Sequence, residues 1–373
     1  MKLVIATDNY LPRWDGISRF LSEITPKISK EHEIIVIAPD FGETKQDFKV
    51  FKIPLTKIVF GDFQIAKFKY FKIRSIIKNA DAVFTQTIGP IGIASILAAK
   101  RLSKPLISFI HNIEWELFPK ATSLLLMKKI FYPTTKKLVK SLYNKCDLLI
   151  VPADNIADML SWQNIKTMKR VVHLGVDANK FTKGNKRQSK KKIGLKSDDL
   201  VIGYHGRLGR EKNLKTLLRA FVRVKSNHKN VNLLLIGSGP KDVEKMFYKK
   251  KGVIFSGRQN NVVPFIQAMD IYVLPSLTET TSLSTLEAMS CEVAVISTKV
   301  GFVKDYIKNG FNGLLFDKQN AYDLYKKIDL LIRKSELRKK LGKNARQTVS
   351  KNFVWSVTST NIMEAINGVL KKN

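Results

Sequence analysis

Two glutamates, Glu279 and Glu287, stand with seven residues between them just past an apolar run, Ile271 to Leu274, that ends at Pro275. The run is short, apolar and bounded by turn residues, which reads as a buried strand. Glu287 lies in a helical pattern over Leu283 to Ser290. The pair spans about two helical turns, so a loop carboxylate and a helix carboxylate can face one cavity at the strand's carboxyl end. Such a cavity suits a ligand rich in hydroxyls, such as a nucleotide sugar. Taken alone, the spacing is equally met by a solvated helix face with a cap.

A second group of residues is suited to phosphate. The segment GRLGREKNLKTLLRAF follows the apolar run LVIGYHG and sets Arg207 and Lys212 on either side of a turn before a helix with apolar Leu214, Leu217, Leu218 and Phe221. An Arg fork, a Lys point charge and the N–H groups of a helix start are together what a diphosphate requires. Further on, a strand in NLLLIGSGPKDVEKM runs into Gly237-Ser238-Gly239-Pro240. Pro240 and Lys241 follow without a third glycine, so this is not a dinucleotide fingerprint. VIFSGRQNN adds another strand ahead of Gly257 and Arg258.

With Gly-Arg-Leu, Glu-Lys-Asn, Gly-x-Gly-Pro and the glutamate pair in this order, the chain resembles the retaining glycosyltransferases of family 4 (GT4, glycosyltransferase group 1). That family has the α/β GT-B fold, two Rossmann-like domains facing each other across a donor-binding cleft. The resemblance implies an acceptor domain over residues 1–178, completed by a C-terminal helix over 355–373, and a donor domain over 179–354. It also implies a retaining, metal-independent hexosyltransferase acting on a nucleoside-diphosphate sugar, with no cofactor and a UDP-sugar expected over a GDP-sugar. Arg207 and Lys212 match the diphosphate pair, Glu287 the group that holds the ribose hydroxyls, and Glu279 the group that holds the donor sugar. Glu279 is the obvious carboxylate for a double displacement as in retaining glycosidases, but in this family a same-face attack is the favoured account, and Glu279 is read as positioning the sugar. Gly237 and Arg258 match the lining of the nucleotide pocket. Thr280, Thr281 and Ser282, followed by Leu283, stand where a glycine-rich triplet often follows the first glutamate. In the first half, Gly16 matches a loop glycine near the donor phosphates and His111 a strand-end histidine at the donor sugar. Departures surround the pocket floor: Glu292 and Ala294 replace a glycine and a proline, and Gly301 to Asp305 stand for Gly-Gly-x-x-Glu.

The elements that must position these groups alternate strand and helix, as a parallel sheet with helices on both faces demands. Candidate strands in the first half are Lys2–Thr7, Glu33–Ala38, Ala82–Gln86, Leu106–His111 and Asp147–Pro152, with a helix from Ile17 to Ser29. His111 opens a polar patch with Asn112, Glu114 and Glu116, whereas His173 and His205 lie inside apolar runs and read as core residues. The stretch VVHLGVDANKF resembles the family's domain crossover. The lysine-rich GNKRQSKKKIGLKSDD after it reads as a linker and a short helix with solvated charge.

The chain has 373 residues, enough for about two domains, and 65 Lys and Arg against 31 Asp and Glu give a net charge of +34. That excess points to an anionic partner. Nucleic acid is set aside because no helix-turn-helix, zinc-finger or RNP-like pattern is present and the cations are spread over both halves. Two basic stretches interleave cations with apolar residues: AKFKYFKIRSIIKN, and LLLMKKIFYPTTKKLVKSLYNK with Lys136, Lys137 and Lys140. They suit an anionic membrane surface and a lipid or lipid-linked glycan acceptor, and equally a surface helix packed on the sheet. No run approaches the roughly 18 apolar residues of a membrane span. The start reads as a strand rather than a signal peptide, so the expected location is cytoplasmic, peripheral to the inner face of the cell membrane. Cys146 and Cys291 have no metal or redox spacing. A sugar-nucleotide epimerase of the same fold and a transferase with a soluble sugar acceptor are the alternative readings.

Overall fold

The computed structural model describes the chain except residues 14, 61–62, 116–124 and 372–373, and describes the backbone alone at residues 60, 63 and 125–131. It divides into two compact units, Met1–His173 with Thr358–Asn373, and Leu174–Val357.

The first unit is built on seven parallel strands in the order Lys49–Ile53, Glu33–Pro39, Lys2–Ala6, Ala82–Thr85, Leu106–Phe109, Leu148–Val151, Lys169–Val171. The central ones read AVFT, LISF and LLIV with every residue buried, as befits strands covered on both faces. The helix Gly16–Ile28 buries Ile17, Phe20, Leu21, Ile24 and Ile28, a helical stripe aimed at the sheet. The chain's last helix, Trp355–Leu370, belongs mostly to this unit. Thr358 Oγ1 donates to the His173 carbonyl at 2.8 Å, and Arg170 pairs with Glu364 at 2.6 Å. Strand Lys49–Ile53, the antiparallel hairpin Leu55–Phe60 with Phe63–Ala66, and strand Lys169–Val171 go beyond the sequence reading. They are short, and Lys49–Ile53 and Lys169–Val171 are interrupted by cations and mostly only partly buried, so no continuous apolar run marks them.

The second unit holds six parallel strands in the order Val253–Phe255, Val231–Ile236, Leu200–His205, Ile271–Leu274, Ala294–Thr298, Leu314–Phe316. Its short first helix, Lys186–Lys192, corrects the expectation of wholly solvated charge. Lys190 is buried, with Nζ 2.9 Å from Asp270, and Lys186 Nζ lies 3.1 Å from the other oxygen of the same carboxylate. That carboxylate also accepts from the Val201 N–H at 2.9 Å, which ties the helix to the start of two neighbouring strands. No described helix is long and apolar enough to cross a membrane.

Candidate active site

In the second sheet the direction of strand succession reverses between Leu200–His205 and Ile271–Leu274. Loops leaving the carboxyl ends of such neighbours diverge, and the crevice between them is where open α/β sheets bind ligands. Arg207 and Lys212 follow the first strand, and the residues from Glu279 to Glu287 follow the second. The two loops meet. Lys212 Nζ donates to Glu279 Oε1 at 2.6 Å, and the Leu277 N–H donates to the Glu211 carbonyl at 2.8 Å. Glu279 Oε1 also accepts from the Ser276 hydroxyl at 2.7 Å. Arg207 points outward, with Nη2 2.5 Å from Glu211 Oε1. Cations and carboxylates thus stand side by side on the two loops, groups chemically suited to phosphate and to hydroxyls respectively.

Glu287 is buried in the helix Leu283–Ser290, whose start is capped by Ser282. Its Oε2 lies 3.2 Å from Nε2 of His205, which is also 3.0 Å from the Ser284 carbonyl. His205 is a core residue, as its apolar context implies, but it also braces the second glutamate. The pairing of Gly203 with Tyr272 brings the two strand ends together, and nothing local in the sequence signals that contact. Thr281 follows Glu279, and its hydroxyl is buried with no hydrogen-bond partner among the described residues. Leu283 opens the helix and is half-buried.

Two glycines allow the loops to approach. Gly237 has φ +132°, and a Cβ there would lie 1.9 Å from the Gly206 carbonyl oxygen. Its N–H donates to the Gly257 carbonyl at 2.8 Å, and exposed Arg258 follows at the carboxyl end of the edge strand Val253–Phe255. Gly301 has φ +48°, and a Cβ would fall 1.8 Å from the Glu279 carbonyl oxygen. The Phe302 N–H then donates to the Thr280 carbonyl at 3.0 Å. A side chain at either glycine would displace a loop that carries a candidate ligand group.

The remaining candidates lie in the first unit. Gly16 opens its helix behind Asp15, whose carboxylate accepts from the Ile17 and Ser18 N–H groups at 2.9 Å each, completing a capping box with Ser18. Those two amides are therefore engaged within the chain, and a Cβ on Gly16 would meet nothing within 4 Å. Where this sheet reverses, Asp8 accepts from Thr87 Oγ1 at 2.7 Å and from the Gly89, Ile91 and Gly92 N–H groups at 2.9–3.1 Å, filling the start of the helix Pro90–Arg101. His111 follows Leu106–Phe109 and meets Gln86 Oε1 at 3.0 Å through Nε2. Burial draws its imidazole pKa down to about 3, so the ring is uncharged at neutral pH. Nearby Glu114 is buried and accepts from the Tyr143 hydroxyl at 2.8 Å, and burial lifts its pKa to about 7. Glu116 lies outside the described residues.

Comparison with known proteins bears on the family and the fold. Residues 185–348 match the family described as glycosyl transferases group 1, and residues 14–180 match glycosyltransferase family 4. An alpha-monoglucosyldiacylglycerol synthase of Streptococcus pneumoniae is 23% identical over 336 residues, 85% of this chain and 75% of the relative. A D-inositol 3-phosphate glycosyltransferase of Corynebacterium jeikeium is 28% identical over 61% of this chain and 59% of its own length. Among solved structures, Anabaena HepE in complex with UDP superposes with a TM-score of 0.82 at 17% identity, covering 99% of this chain and 100% of HepE. HepE is also solved with UDP-glucose. The fold and the matched segments define a glycosyltransferase of the GT-B class. This chain belongs to the group 1, family 4 glycosyltransferases.

Proposed function

We propose that the chain moves a hexosyl group from a UDP-sugar to a hydroxyl of a membrane lipid or lipid-linked glycan, with retention at the anomeric carbon and without a metal ion. The observation that carries the reading is the Lys212–Glu279 contact in the crevice where the second sheet reverses. In the proposed cycle a diphosphate draws Lys212 and Arg207 off their carboxylates. The freed Glu279 then accepts from sugar hydroxyls while the two cations offset the charge that develops on the leaving group. Glu287, braced by His205, accepts the ribose hydroxyls, and the Thr281 hydroxyl gains a partner. The UDP and UDP-glucose complexes of HepE support the choice of nucleotide.

The two carboxylates are expected to separate kinetically. Glu287→Ala should mainly raise the donor KM, because ribose is held alike in ground and transition states. Glu279→Ala should mainly lower kcat, because sugar orientation matters most at the barrier. Steady-state kinetics against the donor checks this, and the opposite pattern would exchange the two roles.

Three features support a lipid acceptor: the net charge, the basic stretches, and the relative named for a glucosylated diacylglycerol. The two stretches differ in how they present their apolar residues. In helix Leu125–Tyr143, among the side chains described from Tyr132 on, Val139, Leu142 and Tyr143 are buried in the protein interior while Tyr132 and Leu138 are exposed, so most of that part's apolar face is spent on the core. Residues 67–72 instead expose Phe68 and Phe71, the latter 82% accessible, between exposed Lys67, Lys69 and Lys72. Aromatic and cationic side chains alternating on one surface can enter a headgroup region together. Sedimentation with vesicles of graded anionic content tests the reading. Binding should rise with anionic lipid, fall with salt, and weaken when Lys136, Lys137 and Lys140 become Gln, and more so when Lys67, Lys69 and Lys72 do. Absence of binding, or equal binding to neutral vesicles, would favour a soluble acceptor, the class to which the inositol phosphate of the Corynebacterium relative belongs. Release of epimerised donor without any acceptor would instead point to the epimerase reading.

A further inference from the structure

At the carboxyl end of the first sheet, Gln86 leaves strand Ala82–Thr85 and His111 leaves its neighbour Leu106–Phe109, which pair through Thr85 and Ser108. Gln86 Oε1 and His111 Nε2 are 3.0 Å apart. The ring is also held on its flanks, stacked on Phe109 at 4.4 Å and met edge-on by Phe20 at 4.8 Å. Gln86 is fully buried, its backbone N–H donates to the Ala6 carbonyl, and its side-chain Nε2 has no hydrogen-bond partner among the described residues. Turning the amide over would engage Nε2 and orphan Oε1, so one end stays unsatisfied in either assignment. A buried polar group satisfied at one end only is a stability cost, and such costs are expected where function needs them. Here the satisfied end is the one that grips the imidazole.

We propose that Gln86 is a positioning residue for sugar transfer: it clamps His111 through Nε2, so that Nδ1 is left to accept a hydrogen bond from a sugar hydroxyl. The inference rests on the reading that His111 meets the sugar. With Gln86 Oε1 as acceptor, the ring proton resides on Nε2 and Nδ1 keeps its lone pair. No described residue bonds Nδ1. An uncharged imidazole with a free lone pair suits a hydroxyl donor and not a phosphate. The hydroxyl belongs either to the donor sugar or to the glycan acceptor, and the kinetics separate these sources.

The test combines nitrogen NMR of His111 with kinetics of Gln86→Leu, His111→Ala and the double variant. In the wild type the Nε2–H tautomer is expected. Gln86→Leu should lose that preference and lower kcat by about tenfold, the worth of one hydrogen bond. The double variant should be no slower than His111→Ala alone, because Gln86 acts through that ring. A higher donor KM in Gln86→Leu assigns the hydroxyl to the donor sugar, and a higher acceptor KM assigns it to the acceptor. Gln86→Glu keeps an acceptor for Nε2–H and serves if the Leu variant does not fold. It should retain most of kcat and raise the His111 pKa, adding an acid limb to the rate profile. Additive losses in the double variant, or a His111 tautomer and titration indifferent to both substitutions, would overturn the inference. Wild-type kinetics in His111→Ala would remove His111 from the site and the inference with it, whereas a slow His111→Ala beside a normal Gln86→Leu would overturn only the role of Gln86.

Discussion

Lys212→Ala is expected to lower kcat/KM for the donor about ten- to a hundredfold, and Arg207→Ala to lower it by a smaller factor within the same range. A charge-assisted hydrogen bond contributes roughly 1.5–3 kcal/mol, and each 1.4 kcal/mol or so is tenfold in rate. Lys212 carries the larger effect because its partner within the chain is largely buried, whereas that of Arg207 is at the surface. It would meet the diphosphate, and it also holds Glu279 Oε1 at 2.6 Å, so its removal leaves a largely buried carboxylate with the Ser276 hydroxyl as its remaining donor among those described. Arg207 lies at the surface, bonded to Glu211. The melting temperature should stay near wild type in Arg207→Ala, whose side chain is exposed, and should fall in Lys212→Ala, which leaves Glu279 without its cation. Steady-state rates with a UDP-sugar decide the matter, and unchanged kinetics in both variants would move the diphosphate elsewhere.

The largest stability loss is expected at a site with no part in the chemistry. Asp270→Ala should destabilise the second unit by about 3–5 kcal/mol, the usual cost of removing one partner from a buried ion pair. Lys190 is buried and would be left without its carboxylate, and Lys186 and the Val201 N–H would each lose a bond. Burial by itself would raise the Asp270 pKa, but the Lys186 and Lys190 ammonium groups and the Val201 N–H outweigh it and hold the carboxyl below its usual range. Burial also draws the Lys186 pKa down against the pull of Asp270. The gain from pairing is therefore read from the carboxylate, on which three donors converge. A depressed carboxyl pKa contributes stability that is present above the unfolded value and is lost as pH falls through the folded one. Thermal unfolding between neutral and acid pH should show the wild type converging on Asp270→Ala as the pH falls. A constant difference down to the lowest pH would mean that the ion pair is not its source.

Both sheets were legible because their central strands are continuous apolar runs that periodicity identifies without help from the rest of the chain. The helix Leu283–Ser290 was legible from its helical pattern, and the structure adds Ser282 as the cap of its start. The edge strand Lys49–Ile53 and the hairpin after it were not. Such short segments become strands only when a neighbour supplies the other half of the hydrogen bonds, here Glu33–Pro39 for the edge strand.

The sequence by itself determined the order of chemical groups along the chain: a cation pair after one strand, a glutamate pair after another, glycines between. Those are local patterns of residue type, and they identified the family. Tertiary structure alone decided which groups touch. Lys212 and Glu279 are 67 positions apart and meet because the strands preceding them are neighbours where the sheet reverses. His205 reaches Glu287 for the same reason, although its apolar surroundings marked it only as core. Lys190 sits in a run of lysines that reads as solvated, yet the fold buries it against Asp270, and Gln86 had no mark in the sequence before the sheet set it beside His111. A residue's chemistry is carried by its type, but its partner and its exposure are set by strand order and register, which no short window of sequence contains.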